Sequence, residues 1–232
     1  MRNLFIKKSK IIILLVLVLT VGVGFSKFEN NQKEIAAVEY SVYDELHLSE
    51  IGLKENIFNA AINGWNHLLK QQQLKNVGLI SIADLSQSSN SKRLYVIDIK
   101  NKKVLFNTYV AHGRNSGEEF ANSFANKPES FKSSLGFYLT GNTYIGSHGL
   151  SMRLHGFEKG INDDAEQRGI VMHGASYVSE SFIQQNGRLG RSQGCPAVPV
   201  ELCEQIVGSI KEGSCFFMFY PDSSYYKTTA FL

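Results

Sequence analysis

The sequence predicts a mainly β fold with a few helices (β+α), arranged as a mixed β-sandwich or barrel. Three observations indicate this class. Short apolar runs recur along residues 77–220, glycine-rich turns separate them, and only two segments show helical periodicity. The chain has 232 residues, of which 43% are hydrophobic and 19% charged, so it can bury one core and carry an N-terminal appendage.

Residues 1–26 have the pattern of a secretory signal or membrane anchor. Basic residues precede an apolar run from Ile11 to Val18 that extends to Phe25, with small residues around Gly24. Because a membrane span needs about 20 apolar residues, a cleaved signal is favoured over an uncleaved anchor. Both alternatives predict export to the cell envelope, either to the periplasm or outside the cell.

The formal net charge of +3 comes largely from this segment. Residues 1–26 contain four basic residues and no acid, so the remaining chain is close to neutral. A neutral domain gives no support for nucleic-acid binding. We expect membrane contact only through residues 1–26, and the sequence predicts no particular oligomeric state.

Three further parts follow the signal: residues 27–76, 77–221 and 222–232. Residues 27–76 are predicted to form a linker followed by an amphipathic helix from Lys54 to Gln71, in which Gly64 slightly lowers the helix propensity. The last is a C-terminal tail. A second, C-terminal helix is predicted from Val200 to Lys211, with Pro199 at its first position and four residues on one face: Val200, Cys203, Val207 and Ile210.

The part between residues 77 and 221 contains the strand signals. Two of them read as a hairpin around residues 101–103. The expected strands are residues 77–82, 94–99, 104–110, 136–140, 151–154, 169–172 and 215–220.

Cys195 lies in a turn that regular structure cannot continue through, Gly190 to Pro199. The predicted helix begins just after this turn. Free N–H groups of the turn and the helix N-terminus favour anions, so we expect a lowered thiol pKa and a site for a developing oxyanion. Gly194 lets the backbone approach a substrate carbonyl closely.

His173 ends a strand-like apolar run and is followed by Gly174. Acyl transfer by a thiol needs a base within hydrogen-bond reach and a third group that orients the base. His173 is the candidate base, and a backbone carbonyl such as that of Gly174 is the candidate orienting group.

These residues carry a family resemblance. The pattern His173-Gly174 followed by Ser192-Gln193-Gly194-Cys195 resembles the signature of YkuD-type L,D-transpeptidases, which cross-link bacterial peptidoglycan. The similarity extends to the murein L,D-transpeptidase catalytic domain branch and covers about Val77 to Pro221. Further matching segments are residues 84–86, 93–98, 110–117, 133–138 and 190–199.

The resemblance implies a YkuD-like fold and a cysteine acyltransferase without a cofactor. Its partners would be peptidoglycan stem peptides, one as acyl donor and one as amine acceptor. Cys195 would be the nucleophile and His173 the base, with Gly174, Ser192 and Gly194 completing the catalytic set. Candidate substrate contacts are Arg114 and His112, in the long loop of residues 111–128, and Arg191.

Two departures from the better-known branch are visible. Gln193 stands where that branch often has His, and Ala197 stands where it has a polar or charged residue. The nucleophile and the base are unaffected, but substrate contacts cannot be transferred from that branch.

Metal binding is not expected. His148 and His155 lack the close ligand spacing of zinc sites, and Asp163-Asp164 lacks the other donors of a calcium loop. Cys203 and Cys215 look like buried apolar residues, although a disulfide between them stays open.

Alternatives to a transpeptidase also remain. If water replaces the acceptor amine, the same residues give an L,D-carboxypeptidase type of cysteine peptidase. A non-catalytic wall-binding module is the alternative from another class. A sortase also pairs His with Cys, but the short interval from His173 to Cys195 fits it poorly.

Overall fold

The computed structural model describes residues 42–232, so the signal expected at residues 1–26 lies outside the described part. Residues 43–232 form one compact unit. None of the helices between residues 42 and 232 has both the length and the apolar character needed to cross a bilayer. The strands are β1 (Leu79–Asp84), β2 (Leu94–Asp98), β3 (Lys103–Thr108), β4 (Gly136–Gly146), β5 (Gly149–Gly156), β6 (Val171–Gly174), β7 (Ala197–Val198) and β8 (Cys215–Phe219). The helices are α1 (Glu55–Lys70), α2 (Glu180–Asn186), α3 (Val200–Ile210) and α4 (Ser223–Thr228).

One mixed sheet contains all of these strands, in the order β3-β2-β1-β8-β4-β5-β6-β7. The β1–β8 and β6–β7 pairs are parallel and the other neighbours are antiparallel. Beyond β3, the N–H of Ala111 donates to the carbonyl of Ala197 in β7 at 2.8 Å, which brings the two edges of the sheet together. The sheet is therefore a nearly closed barrel, and the predicted mainly β fold class is confirmed.

Helix α3 follows β7 and packs against the sheet through Cys203, Ile206, Val207 and Ile210, which are all buried. Pro199 is its N-cap residue and not its first helical residue, as the sequence had suggested. Val200 is 57% exposed, so it does not share the buried face. The positions of β7 and α3 matter because both elements begin within five residues of Cys195.

Helix α1 confirms the amphipathic helix, and its glycine has a packing reason. A Cβ atom on Gly64 would lie 2.0 Å from the ring of Phe137, so the helix can rest on that ring only without a side chain there. Phe137 in turn stacks on Phe217 of β8 at 4.0 Å between ring centroids. The close approach compensates for the low helix propensity of glycine.

Strands β4 and β5 form a longer hairpin than the sequence indicates. The expected end at Thr140 is a register shift between Thr140 and Thr143, after which pairing continues to Gly146 and Gly149. A bulge of this kind inserts residues without ending the strand. The extension carries the turn residues Ser147 and His148 to the rim of the pocket described below.

Three elements have no clear sequence signal: β7, α2 and α4. Helix α4 lies in the segment described above as a C-terminal tail. Its Tyr225 is buried, and the Tyr225 hydroxyl donates to the Glu158 carboxylate at 3.1 Å. The C-terminal residues thus pack on the domain.

The three cysteines are all unpaired. Cys215 in β8 is fully buried, and Cys203 in α3 lies beside Gly174. The disulfide left open from the sequence is not formed, and both side chains serve as apolar packing groups.

Candidate active site

Cys195 and His173 line the same open pocket, a cavity of about 550 Å³. Its walls come from β6, the turn before β7, the β4–β5 hairpin and the loop before β4. The other wall residues that matter to its chemistry are His148, Arg168, Tyr177, Arg191 and Ser192.

The parallel pairing of β6 with β7 brings the base and the nucleophile to one place. His173 lies opposite Ala197, and Gly174 lies opposite Val198. Cys195 comes two residues before Ala197, so it lies near the start of β6, close to Val171. Because β6 side chains alternate, Val171 and His173 face the same side, and both line the pocket.

The imidazole of His173 is held in one tautomer. Its Nδ1 donates to the carbonyl of Gly174 at 3.0 Å, which leaves Nε2 as the basic nitrogen. Its ring stacks on His148 with 4.6 Å between centroids. Burial lowers the pKa of His173, the Gly174 carbonyl opposes this, and His148 lowers the pKa further. His173 is therefore neutral at pH 7.

The sulfur of Cys195 contacts backbone groups that precede His173. The N–H of Val171 donates to Sγ at 3.4 Å, and the thiol donates to the carbonyl of Gly169 at 3.7 Å. Burial raises the pKa of Cys195, while the Val171 N–H, the charge of Arg168 and the N–H of Cys195 itself oppose the rise.

The expected lowering of this thiol pKa is therefore wrong for the structure described. β7 separates Cys195 from the first residue of α3, Val200. The field of a helix terminus falls off within one turn, so it cannot outweigh burial at this distance.

Ser192 and Gly194 build the turn that presents the cysteine. The Ser192 hydroxyl donates to the carbonyl of Cys195 at 2.6 Å and accepts from the Gly194 N–H at 3.0 Å. Gly194 has φ +125°, and a Cβ there would lie 2.8 Å from the Lys132 carbonyl. The sequence predicts that the N–H groups of Gly194 and Cys195 bind the oxyanion, and the Gly194 N–H is already used within the turn. The N–H of Cys195, beside its own sulfur, is the better placed donor.

His112 does not belong to the pocket, contrary to its selection as a substrate contact. It is buried, its Nδ1 accepts from Arg93 Nη2 at 2.7 Å, and its Nε2 donates to the Gly117 carbonyl at 3.3 Å. Burial and the Arg93 charge lower the pKa of His112 to about 3. With both ring nitrogens occupied and no exposure, His112 is a structural residue.

The two candidate arginines have different surroundings. Arg191 lines the pocket, but its Nη1 donates to the carbonyls of Arg114 and Gly117 and pairs with Glu118 at 2.6 Å. Its charge is thereby shared with Glu118 and anchors the loop. Arg114 is exposed, and its guanidinium lies 3.9 Å above the ring of Phe131, a pocket residue. Of these two candidates, only Arg114 has no acidic partner among residues 42–232, and it lies beside the pocket wall rather than in it.

Several pocket residues are not among the site residues predicted from the sequence, and His148, Arg168 and Tyr177 are the ones that matter most to the chemistry. His148 had been considered only as a metal ligand. Arg168 and Gly169 directly precede the His173 strand, so their proximity to that motif was the available signal. No group of three or more His, Cys, Asp or Glu residues in the described range is arranged to hold a metal ion.

Comparison with known proteins gives two kinds of match. The sequence model of the family described as L,D-transpeptidase catalytic domain (YkuD_2) matches residues 49–219. The match includes α1 and every strand and ends with β8. No curated protein sequence matches the chain significantly.

Solved structures of low similarity are also found. An L,D-transpeptidase from Mycobacterium smegmatis is 12% identical, with a TM-score of 0.38 over 62% of this chain and 59% of that chain. L,D-transpeptidase 1 of Mycobacterium tuberculosis is 13% identical, with a TM-score of 0.36 over 62% of each chain. The helical cell shape determining protein Pgp2 of Campylobacter jejuni is 14% identical, with a TM-score of 0.42 over 71% of this chain and 57% of that one.

The aligned part thus spans about three fifths of the length of these solved structures. The family model, by contrast, spans most of this chain and includes the strand that contains His173 and the turn that holds Cys195. The chain belongs to the L,D-transpeptidase catalytic domain family.

Proposed function

We propose that this protein is an exported L,D-transpeptidase that forms peptidoglycan cross-links through a thioester on Cys195. The observation that carries the proposal is the pairing of β6 with β7. It places a thiol and a neutral, singly oriented imidazole in the walls of one open pocket. A nucleophile, a base and a group that orients the base are the parts that acyl transfer requires.

In the first half of the reaction, the Cys195 sulfur attacks the carbonyl carbon of an L-configured stem residue that precedes a D-residue. A C–S bond forms and the amide C–N bond breaks. Nε2 of His173 takes the thiol proton and delivers it to the departing amine, which leaves as the terminal D-amino acid. The N–H of Cys195 donates to the oxyanion that develops beside the sulfur.

In the second half, an amine of another stem attacks the thioester carbonyl. His173 accepts a proton from this amine, a new C–N bond forms, and the C–S bond breaks to restore the thiol. If water attacks instead, the product is a shortened stem and a free carboxylate, which is the carboxypeptidase alternative.

During these reaction steps the Cys195 sulfur must exchange its backbone hydrogen-bond partners for His173. In the structure it contacts Gly169 and Val171, one side-chain position back along β6 from His173. The proposal requires the Cys195 side chain to turn from these backbone groups toward the imidazole, with which it forms no hydrogen bond in the structure. Catalytic hydrogen bonds commonly tighten only when substrate binds.

We assign the substrate-contact role among the candidate residues to Arg114. Its guanidinium has no acidic partner among residues 42–232 and stands over Phe131, which lines the pocket. A stem peptide carries carboxylates, which an arginine beside the pocket can bind. Arg191 supports this arrangement by holding the Arg114 carbonyl.

The test uses the purified chain without residues 1–26, disaccharide tetrapeptides as the substrate, and mass spectrometry of the products. We expect cross-linked dimers and a thioester adduct on Cys195. Cys195→Ala removes both, whereas Cys203→Ala keeps both, because the Cys203 side chain packs behind Gly174 outside the pocket. Shortened stems without dimers would assign the carboxypeptidase reaction. Intact substrate with undiminished wall binding in Cys195→Ala would assign a wall-binding module.

Export rests on residues 1–26 alone and has its own test. A basic start followed by an apolar run of this length is typical of a secretory signal. We expect the full chain, expressed in a bacterial host, to reach the envelope fraction, and a chain that lacks residues 1–26 to stay in the cytoplasm. Equal cytoplasmic retention of both chains would refute export.

A further inference from the structure

A single segment, Arg168 to His173, supplies the groups that surround the Cys195 sulfur. Gly169 offers a carbonyl to the thiol, Val171 offers an N–H to the sulfur, and His173 lines the same pocket. The remaining polar group of this segment is the guanidinium of Arg168, which also lines the pocket. The Gly169 carbonyl favours the protonated thiol, whereas the Val171 N–H and the Arg168 cation favour the thiolate.

The guanidinium of Arg168 is fixed by neutral partners. Its Nη1 donates to the Ala125 carbonyl at 2.9 Å and to the Ser134 hydroxyl, and its Nη2 donates to the Lys132 carbonyl at 2.6 Å and to the Ser130 hydroxyl at 3.4 Å. None of the carboxylates in residues 42–232 forms an ion pair with it. Neutral acceptors satisfy the N–H groups, and the nearest influence of a carboxylate on the charge is a Coulombic attraction to Asp164 without an ion pair.

These contacts also limit what Arg168 can do. Both terminal nitrogens are committed to protein acceptors, so the planar fork is not available to clamp a carboxylate of a substrate in the usual two-bond manner. The charge nevertheless acts on the turn, because Nη2 lies 3.4 Å from the position that a Cβ on Gly194 would take, next to Cys195. A half-buried charge at such a wall is weakly screened by solvent.

We propose that Arg168 is a positioning residue whose fixed positive charge favours the thiolate form of Cys195. The inference rests on the proposed function, in which Cys195 is the nucleophile, and names how the site activates it. The burial of the thiol opposes ionisation, and Arg168 with the Val171 N–H offsets that cost. Consistently, burial lowers the pKa of Arg168 while Tyr138, Cys195 and Asp164 oppose the fall. Burial raises the pKa of Cys195, and Arg168 is one of the groups that oppose that rise.

Other titratable groups also face the thiol, and the test must separate Arg168 from them. They come from the β4–β5 hairpin, β6 and the turn that follows it, the loop before β4, and the cysteine turn: Tyr144, His148, His173, Tyr177, Glu129 and Arg191. None of them is altered in the variants below, so their contributions are constant.

The experiment measures the alkylation of Cys195 by iodoacetamide as a function of pH, without any peptidoglycan, and identifies the modified peptide by mass spectrometry. Arg168→Gln should raise the pH midpoint and slow the reaction at pH 7 about tenfold, since an opposite charge nearby stabilises a thiolate by this order. Arg168→Lys, which keeps the charge, should recover most of the rate.

Two controls separate charge from structure. Ser134→Ala removes one anchor of the guanidinium without removing charge, and Arg188→Gln removes a charge outside the pocket, where Arg188 pairs with Glu118. Both should keep the wild-type midpoint. An unchanged midpoint in Arg168→Gln, or an equal shift in Ser134→Ala, would overturn the proposal.

If Arg168→Gln does not fold, the wild type and Arg168→Lys answer the question through the rate ratio of iodoacetate to iodoacetamide. A ratio above that of free cysteine that falls with salt supports a local cation. A ratio no greater than that of free cysteine overturns the proposal. Because no peptidoglycan is used, failure of the transpeptidase assay would leave this result intact, and the two proposals fail separately.

Discussion

Two clusters in this molecule use the same kinds of side chain and behave in opposite ways. The Cys195 pocket contains His173 and Arg168, while a closed cluster beside the 111–128 loop contains His112 and Arg93. Each arginine donates to backbone carbonyls. In the closed cluster Arg93 also donates to the imidazole, both nitrogens of His112 are occupied, and both residues are buried.

The two histidines differ in how many of their ring nitrogens are free of hydrogen bonds. His173 keeps Nε2 for a reaction because only Nδ1 is bound, and its ring lines an open pocket. His112 has no free valence and no access to solvent. Residue type and spacing in sequence therefore do not separate a reactive histidine from a structural one, whereas the saturation of its two nitrogens does.

The largest expected effect comes from substituting the two histidines one at a time, because one is assigned to catalysis and the other to stability. His173→Gln should lower kcat/KM for cross-linking about a thousandfold, because the general base is lost, with little change in the free energy of unfolding. His112→Ala should do the reverse and cost about 2 kcal/mol of stability, because the Arg93 donor loses its acceptor.

Mass spectrometry of the products measures the loss of activity, and urea unfolding of the same preparations measures the loss of stability. Loss of turnover in a fully folded His112→Ala protein would break the comparison.

The next effect concerns the arginine of the closed cluster. Arg93→Met should lower the free energy of unfolding by about 3 kcal/mol, since it leaves the carbonyls of Val110 and Gln87 and the His112 ring without a donor. Lys92→Met is the matched control, because Lys92 is adjacent and exposed and should change stability by less than about 0.5 kcal/mol. Equal unfolding midpoints in urea for the two variants would show that the cluster contributes nothing.

A third effect sharpens the comparison through pH. The folded-state pKa of His112 is about 3, against an ordinary value of 6.5, because burial and Arg93 oppose its charge. The unfolded chain therefore binds an extra proton between these values, so this contribution to stability is present above pH 6.5 and is lost as pH falls toward 3.

His112→Asn keeps an acceptor for Arg93 but does not titrate. We expect its unfolding free energy to fall less steeply with acid than that of the wild type, by up to about 1.4 kcal/mol per pH unit between pH 4 and 6. Urea unfolding at a series of pH values measures the two slopes, and parallel slopes would contradict the assigned neutral state.

The comparison also explains how much of the site could be predicted from sequence. The strand ending in His173, the glycine turn at Cys195 and the helix from Val200 each leave a local pattern, and their meeting follows from one parallel strand pair. Whether His112 joins them depends on Arg93, which is distant in sequence. Arg168 was missed for the same reason: the absence of a carboxylate partner is a tertiary property.

The fold shows a similar division. Long apolar runs predicted most strands and α1, because burial imposes their periodicity. The β4–β5 hairpin extends past Thr140 because a bulge absorbs residues that otherwise read as a turn. Strand β7 contains only Ala197 and Val198, which is too short for any periodicity to show. Its pairing partners are what define it.

The smallest expected effect tests the ring that stacks on the base. His148 lies 4.6 Å from His173 and, together with the larger effect of burial, lowers the His173 pKa. His148→Phe keeps a stacked ring and removes the Coulombic effect of the second imidazole, so the His173 pKa should rise and the acid limb of the pH–rate profile should move to higher pH. Activity at pH 6 relative to pH 8 should fall on the order of twofold. His155→Phe is the matched control, since His155 lies in the same hairpin but pairs with Glu166 outside the pocket. An acid limb that moves equally in both variants, or in neither, would show that His148 does not lower the pKa of the base. His173 and His112 would then differ only in how many of their ring nitrogens are hydrogen-bonded and in their access to the pocket.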